Sequence, residues 1–382
     1  MPGYTKDLYS GGCRPQSGGG EEPCDCDPRG SLSTSCPASG RCRCLDNVEG
    51  RNCNQCKPGT FNLHQMNPDG CLKCFCSGVT DQCTEASLYW STLRIPIYDD
   101  RHGFGLTDKR QGVDKTSQLL LGSSELVYEY SPSDRRVYFW QLPDQFLGNK
   151  LAAYGGNMTV YQQFYTTSQT GIPLIDSDVI MIGNGLALHF TVPGERIPGL
   201  EERHRVPVYE DGWAIRRGNQ KIPATREDFL RVLSNIDSIL VRATIARDMS
   251  RTSISRVNMD IAVGQQTGGP PAVGAEECQC PPGYKGRSCE DCSLGYYRNS
   301  SQCLLCPCSG NERHCSMDQS SGLVQCDCRE GWTGESCQSR GECQSVSGLG
   351  WSVSSDLACF TSHSRWCPHG TQSCHCLCCS RQ

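Results

Sequence analysis

No run of about 18 apolar residues occurs in the 382-residue sequence, which excludes a membrane-spanning helix. A positive excess is missing too. The 36 Lys and Arg face 41 Asp and Glu, net −5, which argues against a strongly basic nucleic-acid binder. The 41 Gly follow no three-residue period, so the chain is no collagen. No His-Glu-x-x-His, Gly-x-Ser-x-Gly or phosphate-loop pattern is present, and the eight His are scattered. The reading is therefore of a protein that is not an enzyme, with no catalytic residues, no metal and no cofactor. Arg-Gly-Asp is absent, which removes that route to integrins. The most instructive gap is in cysteine: residues 84–277 hold none, and the rest of the chain holds all 30.

The chain thus has Cys-dense arms and a Cys-free centre large enough to bury its own core. Thirty cysteines in a reducing cytosol would need metals or remain free thiols, so an oxidising, secreted setting is the simpler reading. Met1-Pro2-Gly3-Tyr4-Thr5-Lys6 shows neither the basic start nor the apolar run of an export signal. The chain is read as a piece of a longer secreted protein whose signal lies upstream. Two sequons, Asn157-Met158-Thr159 and Asn299-Ser300-Ser301, are candidate glycosylation sites.

Cysteine spacing repeats. One unit runs Cys24-x-Cys26, Cys36, Cys42-x-Cys44, Cys53-x-x-Cys56, Cys71. A second begins Cys74-x-Cys76, Cys83 and resumes after the gap with Cys278-x-Cys280, Cys289-x-x-Cys292, Cys303. A third runs Cys306-x-Cys308, Cys315, Cys326-x-Cys328, Cys337 and then stops fitting. Gly50, Gly286 and Gly334 each stand three residues before a Cys, which predicts a tight turn with positive φ. Aromatics follow Pro58-Gly59 and Leu294-Gly295, where one ring can cover a disulfide in a unit too small for a core. Zinc is the competing reading, because Cys53-x-x-Cys56 and Cys289-x-x-Cys292 have ligand spacing. Each sits among Cys-x-Cys pairs and Gly turns with no His pair after it, so disulfides are preferred. A redox Cys-x-x-Cys lacks its βαβ surroundings. Spacing alone does not choose among the pairings of eight cysteines.

These units resemble laminin-type EGF-like modules. The resemblance implies the pairs Cys24–Cys36, Cys26–Cys42, Cys44–Cys53 and Cys56–Cys71 in the first module. In the second it implies Cys74–Cys83, Cys76–Cys278, Cys280–Cys289 and Cys292–Cys303, and in the third Cys306–Cys315, Cys308–Cys326 and Cys328–Cys337. Cys13 resembles the end of an earlier module, cut after its seventh cysteine, which would leave it without a partner in this chain. Arg340 stands where the family expects a Cys after Cys337, which puts closure of the third module in doubt. Residues 338–382 carry seven cysteines in a new spacing. A divergent or mis-joined tail is preferred there over a metal site built on Cys367, His369 and His375, and its order is left open.

The centre reads as strands. Val127-Tyr128-Glu129-Tyr130, Val137-Tyr138-Phe139-Trp140 and Thr159-Val160-Tyr161-Gln162 are β-branched and aromatic. Gly183-Asn184-Gly185 between Val179–Ile182 and Leu186–Val192 is a hairpin signal. Ile239, Val241, Ala243 and Ile245 alternate with other residues, as do Val257, Met259, Ile261 and Val263. One helix is predicted, capped by Thr225 with Asp228 three residues on, its apolar stripe Phe229, Val232 and Leu233. The expectation is a β-sandwich with a helix over an end or edge. Tyr138-Phe139-Trp140-Gln141-Leu142-Pro143, Phe146-Leu147-Gly148-Asn149-Lys150, Tyr154-Gly155-Gly156, Pro223-Ala224-Thr225-Arg226-Glu227 and Asp237–Ala243 resemble a laminin IV type A domain. That family inserts its jelly roll between the third and fourth cysteines of a module, where the gap falls here. The wording is most similar to basement-membrane heparan sulfate proteoglycans of the perlecan family, with laminin α and γ short arms second.

The fold expectation is mostly β: a jelly-roll-like sandwich inserted in a rod of small disulfide-rich modules. The domains read as 1–23, the end of a truncated module and a linker; 24–73, a module; 74–83 with 278–305, the split module; 84–277, the sandwich; 306–337, an incomplete module; and 338–382, the tail. A Cys76–Cys278 bridge would close a loop of about 200 residues, roughly 5 kcal/mol by chain-entropy arithmetic, and would hold the ends of the sandwich side by side. Asp99-Asp100 and Glu210-Asp211 are read as solvated loop carboxylates rather than Ca²⁺ ligands. His189 is read as a satisfied core or surface residue. Arg203-His204-Arg205 with Arg216-Arg217 could attract heparan sulfate, opposed by Glu201 and Glu202. Ser17-Gly18 before Glu21-Glu22 faintly resembles a glycosaminoglycan attachment site, although a Gly-rich linker is preferred. The resemblance implies a structural role in the extracellular matrix of basement membranes, with matrix proteins and growth factors as candidate partners and no nucleic acid or membrane insertion. The alternative is a carbohydrate-binding jelly roll. It would need solvent-facing aromatics, for which Tyr128 and Tyr130 are candidates, although core burial is the preferred reading of both.

Overall fold

A computed structural model describes residues 4–6, 13–15, 25–34, 41–97, 100–168, 171–218, 220–300, 302–318 and 320–340. Cys24, Cys36, Ser17, Asp99, Cys367, His369 and His375 lie outside the described residues. Two compact units divide the chain. The first runs to Cys280 and includes Arg287–Glu290; the second takes Pro281–Gly286 and the chain from Asp291 onward.

The centre of the first unit is a two-sheet sandwich. Its elements are β1 Tyr89–Pro96, β2 Gly105–Asp108, β3 Leu120–Leu121, β4 Leu126–Glu129, β5 Tyr138–Gln141, β6 Asn157–Thr166, β7 Val179–Gly183, β8 Leu186–Phe190, β9 Glu202–Pro207, β10 Trp213–Arg217, β11 Gln220–Pro223, α1 Arg226–Ser234, β12 Ile236–Arg242 and β13 Met249–Val263. The six-stranded sheet runs β3-β4-β13-β6-β9, with β1 also on β13; the seven-stranded sheet runs β11-β10-β8-β7-β12-β5-β2. Every pairing within the two sheets is antiparallel. β13 is long enough to serve two partners on one edge, β4 along Arg251–Ile254 and β1 along Arg256–Val263.

Alternation sets the faces. In β6, Met158, Val160, Gln162 and Phe164 are buried, while Thr159, Tyr161 and Gln163 are half-buried on the other side. Met158, Val160, Val206, Ile254, Val257 and Met259 from one sheet meet Tyr138, Trp140, Met181, Leu188, Ile239 and Val241 from the other in one core. The alternation read over Ile239–Ile245 is incomplete. Leu240 is buried too, in a separate cluster with Phe139 and Ile180, and the strand ends at Arg242.

The Asn184–Gly185 turn has φ of 47° and 72°, both left-handed as a two-residue hairpin demands. A Cβ on Gly183 would lie 2.3 Å from the Asn235 carbonyl oxygen, so only glycine lets the hairpin pack on the end of α1. Thr225 caps α1 in a full capping box with Asp228, and Phe229, Leu230, Val232 and Leu233 enter the main core.

The modules are built differently. Gly50, Gly286 and Gly334 take φ of 93°, 95° and 97°, and the cysteines three residues on take 56°, 56° and 55°. The same small hairpin recurs around each turn. Val48 pairs Cys56, Tyr284 pairs Cys292 and Trp332 pairs Arg340. Arg340 therefore occupies the register of the seventh cysteine, and its guanidinium lies 5.9 Å from the centroid of the Trp332 ring. The turn forms without that sulfur. In the first module Val48, with Leu45 and Leu63, packs on Cys53 and Cys71, while the aromatic Phe61 lies under a sandwich arginine.

Candidate functional site

The junction where the sandwich leaves and re-enters its host module is held by covalent and polar contacts. Cys83–Glu85 pairs antiparallel with Glu276–Cys278, so the departing and returning chains run as one ribbon. Cys76 bonds Cys278 across a separation of 202 residues, with Cα atoms 5.8 Å apart, and Cys74 bonds Cys83 beside it. The turn at Cys76 and Ser77 has φ of 38° and 51°, which non-glycine residues adopt at a cost. Glu276 stabilises that turn: its buried carboxylate accepts from the N–H of Phe75 at 2.7 Å and of Cys76 at 3.0 Å. Ser77 donates to the Ser288 carbonyl at 2.8 Å, which ties the returning segment to the same turn. Nothing in the sequence marked Glu276; a Glu two residues before a Cys is too common to be a motif.

A second contact joins the preceding module to the sandwich. Arg226, the first residue of α1, donates to the Lys73 carbonyl at 2.6 Å. Its guanidinium lies 5.9 Å from the Phe61 ring centroid and 5.1 Å from that of Tyr154. Tyr154 in turn donates to Glu210 at 2.8 Å, which occupies one of the acidic pairs read as solvated. Asn149 donates to Glu290 at 2.7 Å.

Among the described residues the other disulfides are Cys26–Cys42, Cys44–Cys53, Cys56–Cys71, Cys280–Cys289, Cys292–Cys303, Cys306–Cys315, Cys308–Cys326 and Cys328–Cys337. Both Cys-x-x-Cys motifs are split between two bridges, so neither pair gathers thiolates. Cys74, Cys76 and Cys83 come together, but their sulfurs are spent in bridges.

Other sequence candidates scatter. Asn157 begins β6, half-buried, with its backbone N–H donated to Asp260 at 3.0 Å. Asn299 ends the strand Tyr296–Asn299 of the second unit. Tyr128 is buried and stacks edge-on with Tyr130 and Tyr138, while Tyr130 shares a hydrogen bond with Thr244 at 2.8 Å, so this pair offers sugars no platform. A shallow cleft of about 250 Å³ is lined by Tyr165, Thr166, Ser168, Pro198 and Gly199.

The five-residue basic cluster is not one patch. Arg203 and Arg205 lie on β9 of the six-stranded sheet; Arg216 and Arg217 lie on β10 of the other. Arg216 pairs with Asp176 at 3.1 Å. His204 points inward, its Nε2 3.1 Å from Glu202. Burial works against the Glu202 charge, but His204, the Ile197 N–H and Arg196 outweigh it and hold that carboxyl at about 2. His189 is buried beside Ser177, 3.2 Å from its hydroxyl. Burial, with the Arg216 and Lys109 charges, pushes it down to about 4.

The laminin B (domain IV) family profile matches residues 139–276, and the laminin EGF domain profile matches 24–71 and 272–303. The second EGF match begins at 272, inside the last five residues of the laminin B match. Residues 139–276 thus match the laminin B family, and residues 24–71 and 272–303 match the laminin EGF family. It is 37% identical over 329 residues to the mouse basement membrane-specific heparan sulfate proteoglycan core protein, covering 82% of this chain and 9% of that one. It is 30% identical over 317 residues to mouse laminin subunit alpha-1, covering 77% of this chain and 10% of that one. The chain thus spans about a tenth of the length of these relatives. Among solved structures, the L4b domain of human laminin alpha-2 aligns at 25% identity and a TM-score of 0.39, over 45% of this chain and 98% of that one.

Proposed function

We propose that the chain is a structural segment of a secreted basement-membrane protein: a disulfide-stapled spacer that presents a β-sandwich for contacts with other matrix proteins. The junction carries this reading. The Cys76–Cys278 bridge and the Glu276 carboxylate hold the two ends of the sandwich against one turn of the host module. Arg226 fastens α1 to the module before it. An arrangement with so many fixed contacts suits holding a surface in place better than enzymatic turnover. The similarity to a basement-membrane proteoglycan and to a laminin α chain supports the location. Matrix proteins and growth factors are the proposed partners, and Asn157 and Asn299 the proposed N-glycan acceptors. Module boundaries at 24–73, 74–83 with 278–305, and 306–337 are proposed with it.

The test is retention of the oxidised, tagged chain on decellularised basement membrane. Saturable retention, competed by untagged chain, is expected. Wash-out no slower than that of an unrelated disulfide-rich control would overturn the reading.

A further inference from the structure

The outer face of the six-stranded sheet carries a basic strip that no single stretch of sequence contains. Strand register assembles it. Thr159 pairs Arg205 on one side and Asn258 on the other, and Asn258 pairs Arg94. Tyr161 pairs Arg203 on one side and Arg256 on the other. Two adjacent rows thus bring Arg94, Arg203, Arg205 and Arg256 onto one surface from three strands, β1, β9 and β13. All four arginines are exposed. At about 4.8 Å per strand, Arg94 and Arg205 stand three spacings, about 14 Å, apart.

Tyr161 lies at the centre. The Arg256 guanidinium is 4.1 Å from its ring centroid and that of Arg203 is 5.9 Å away. The ring orders both cations without neutralising them. No salt bridge to any of the four is found among the described residues, whereas Arg196, Arg216, Arg242 and Arg251 all have carboxylate partners. Two acids on the same face, Glu201 and Asp260, accept hydrogen bonds from neutral groups and form no ion pair with the four arginines among the described residues. Glu201 accepts from Ser255 at 2.8 Å, and Asp260 from the Asn157 N–H at 3.0 Å. Four arginines gathered without a salt-bridge partner among the described residues, in a chain of net charge −5, form a surface that attracts a polyanion.

We infer that this face binds a sulfated glycosaminoglycan chain. The guanidinium fork matches an oxyanion bidentately, and a flat array of forks on a sheet suits a linear chain carrying repeated sulfates. Recognition is through charge rather than through an aromatic platform. The inference goes beyond the scaffold reading, which stands or falls by matrix retention whatever happens here.

The test uses the full oxidised chain carrying N157Q, so that no glycan on this face intervenes, with heparin and chondroitin sulfate decasaccharides as probes at 150 mM salt. Binding to at least one probe is expected, and it should weaken at least tenfold at 500 mM salt, because exposed charges are screened. The R203A/R205A/R256A variant is expected to lose at least tenfold in affinity, while R216A/R217A, on the other sheet, stays within twofold. Unchanged thermal unfolding of the triple variant separates this loss from misfolding; if that variant misfolds, R203A and R256A made singly are each expected to lose about threefold. Heparin preferred over chondroitin sulfate identifies heparan-type chains as the source; equal binding identifies sulfation density alone. No binding to either probe, no loss in the triple and single variants, or an equal loss in R216A/R217A would overturn the inference.

Discussion

The sandwich and the modules solve the same problem by opposite means. The sandwich buries Trp140, Trp213, Tyr138, Phe146 and Phe229 almost completely and contains no sulfur bridge. The modules bury little beyond Val48, Phe61 and their own cystines, and their strands are two to six residues long. A unit of about 50 residues cannot hide enough apolar surface to offset chain entropy, so cross-links that restrict the unfolded chain take over. The contrast shows why the cysteine gap coincides with a domain: once a core exceeds a certain size, bridges add little.

Reduction should separate the two most strongly. With dithiothreitol in native buffer, the modules are expected to lose their structure, while the near-ultraviolet tryptophan signal of the sandwich persists. Loss of both signals in one step would contradict the division. The converse is Phe229→Ala. Phe229 is fully buried, 5.5 Å from the Trp213 ring centroid, so its removal should cost the sandwich about 3–5 kcal/mol and leave the module disulfides intact. Urea unfolding followed by tryptophan fluorescence measures it.

Acid should act on the sandwich through His189. Its folded pKa of about 4 lies below the unfolded value near 6.5, so the unfolded chain binds more protons between them. Stability is full above about pH 6.5, declines as pH falls toward 4, and has no further His189 dependence below that. Urea midpoints at pH 7, 5.5 and 4 should show this slope, and His189→Gln should flatten it. The smallest effect concerns the link between the regions. Arg226→Ala should cost roughly 1–2 kcal/mol and increase hydrogen exchange at residues 60–73, with the sandwich core still protected.

Local signals in the sequence were readable because a local cause produced them. The glycines before cysteines, the Asn184–Gly185 hairpin and the Thr225 cap each satisfy a backbone requirement within a few residues. What escaped depends on register between distant strands. No local pattern says that β13 serves both β4 and β1, and so none places Arg94 and Arg256 beside Arg203. The expected Arg203–Arg217 cluster failed for the same reason: nearness along the chain placed its halves on different sheets. Glu276 and Arg226 were invisible because each acts through a backbone partner about 150 to 200 residues away.

The architecture rests on a host module interrupted by the sandwich and closed again by one bridge. Peptide mapping of the non-reduced, alkylated protein tests this most directly. A peptide containing Cys76 should be recovered joined to one containing Cys278. Recovery of either cysteine as an alkylated free thiol, or of Cys76 joined to any other cysteine, would contradict it.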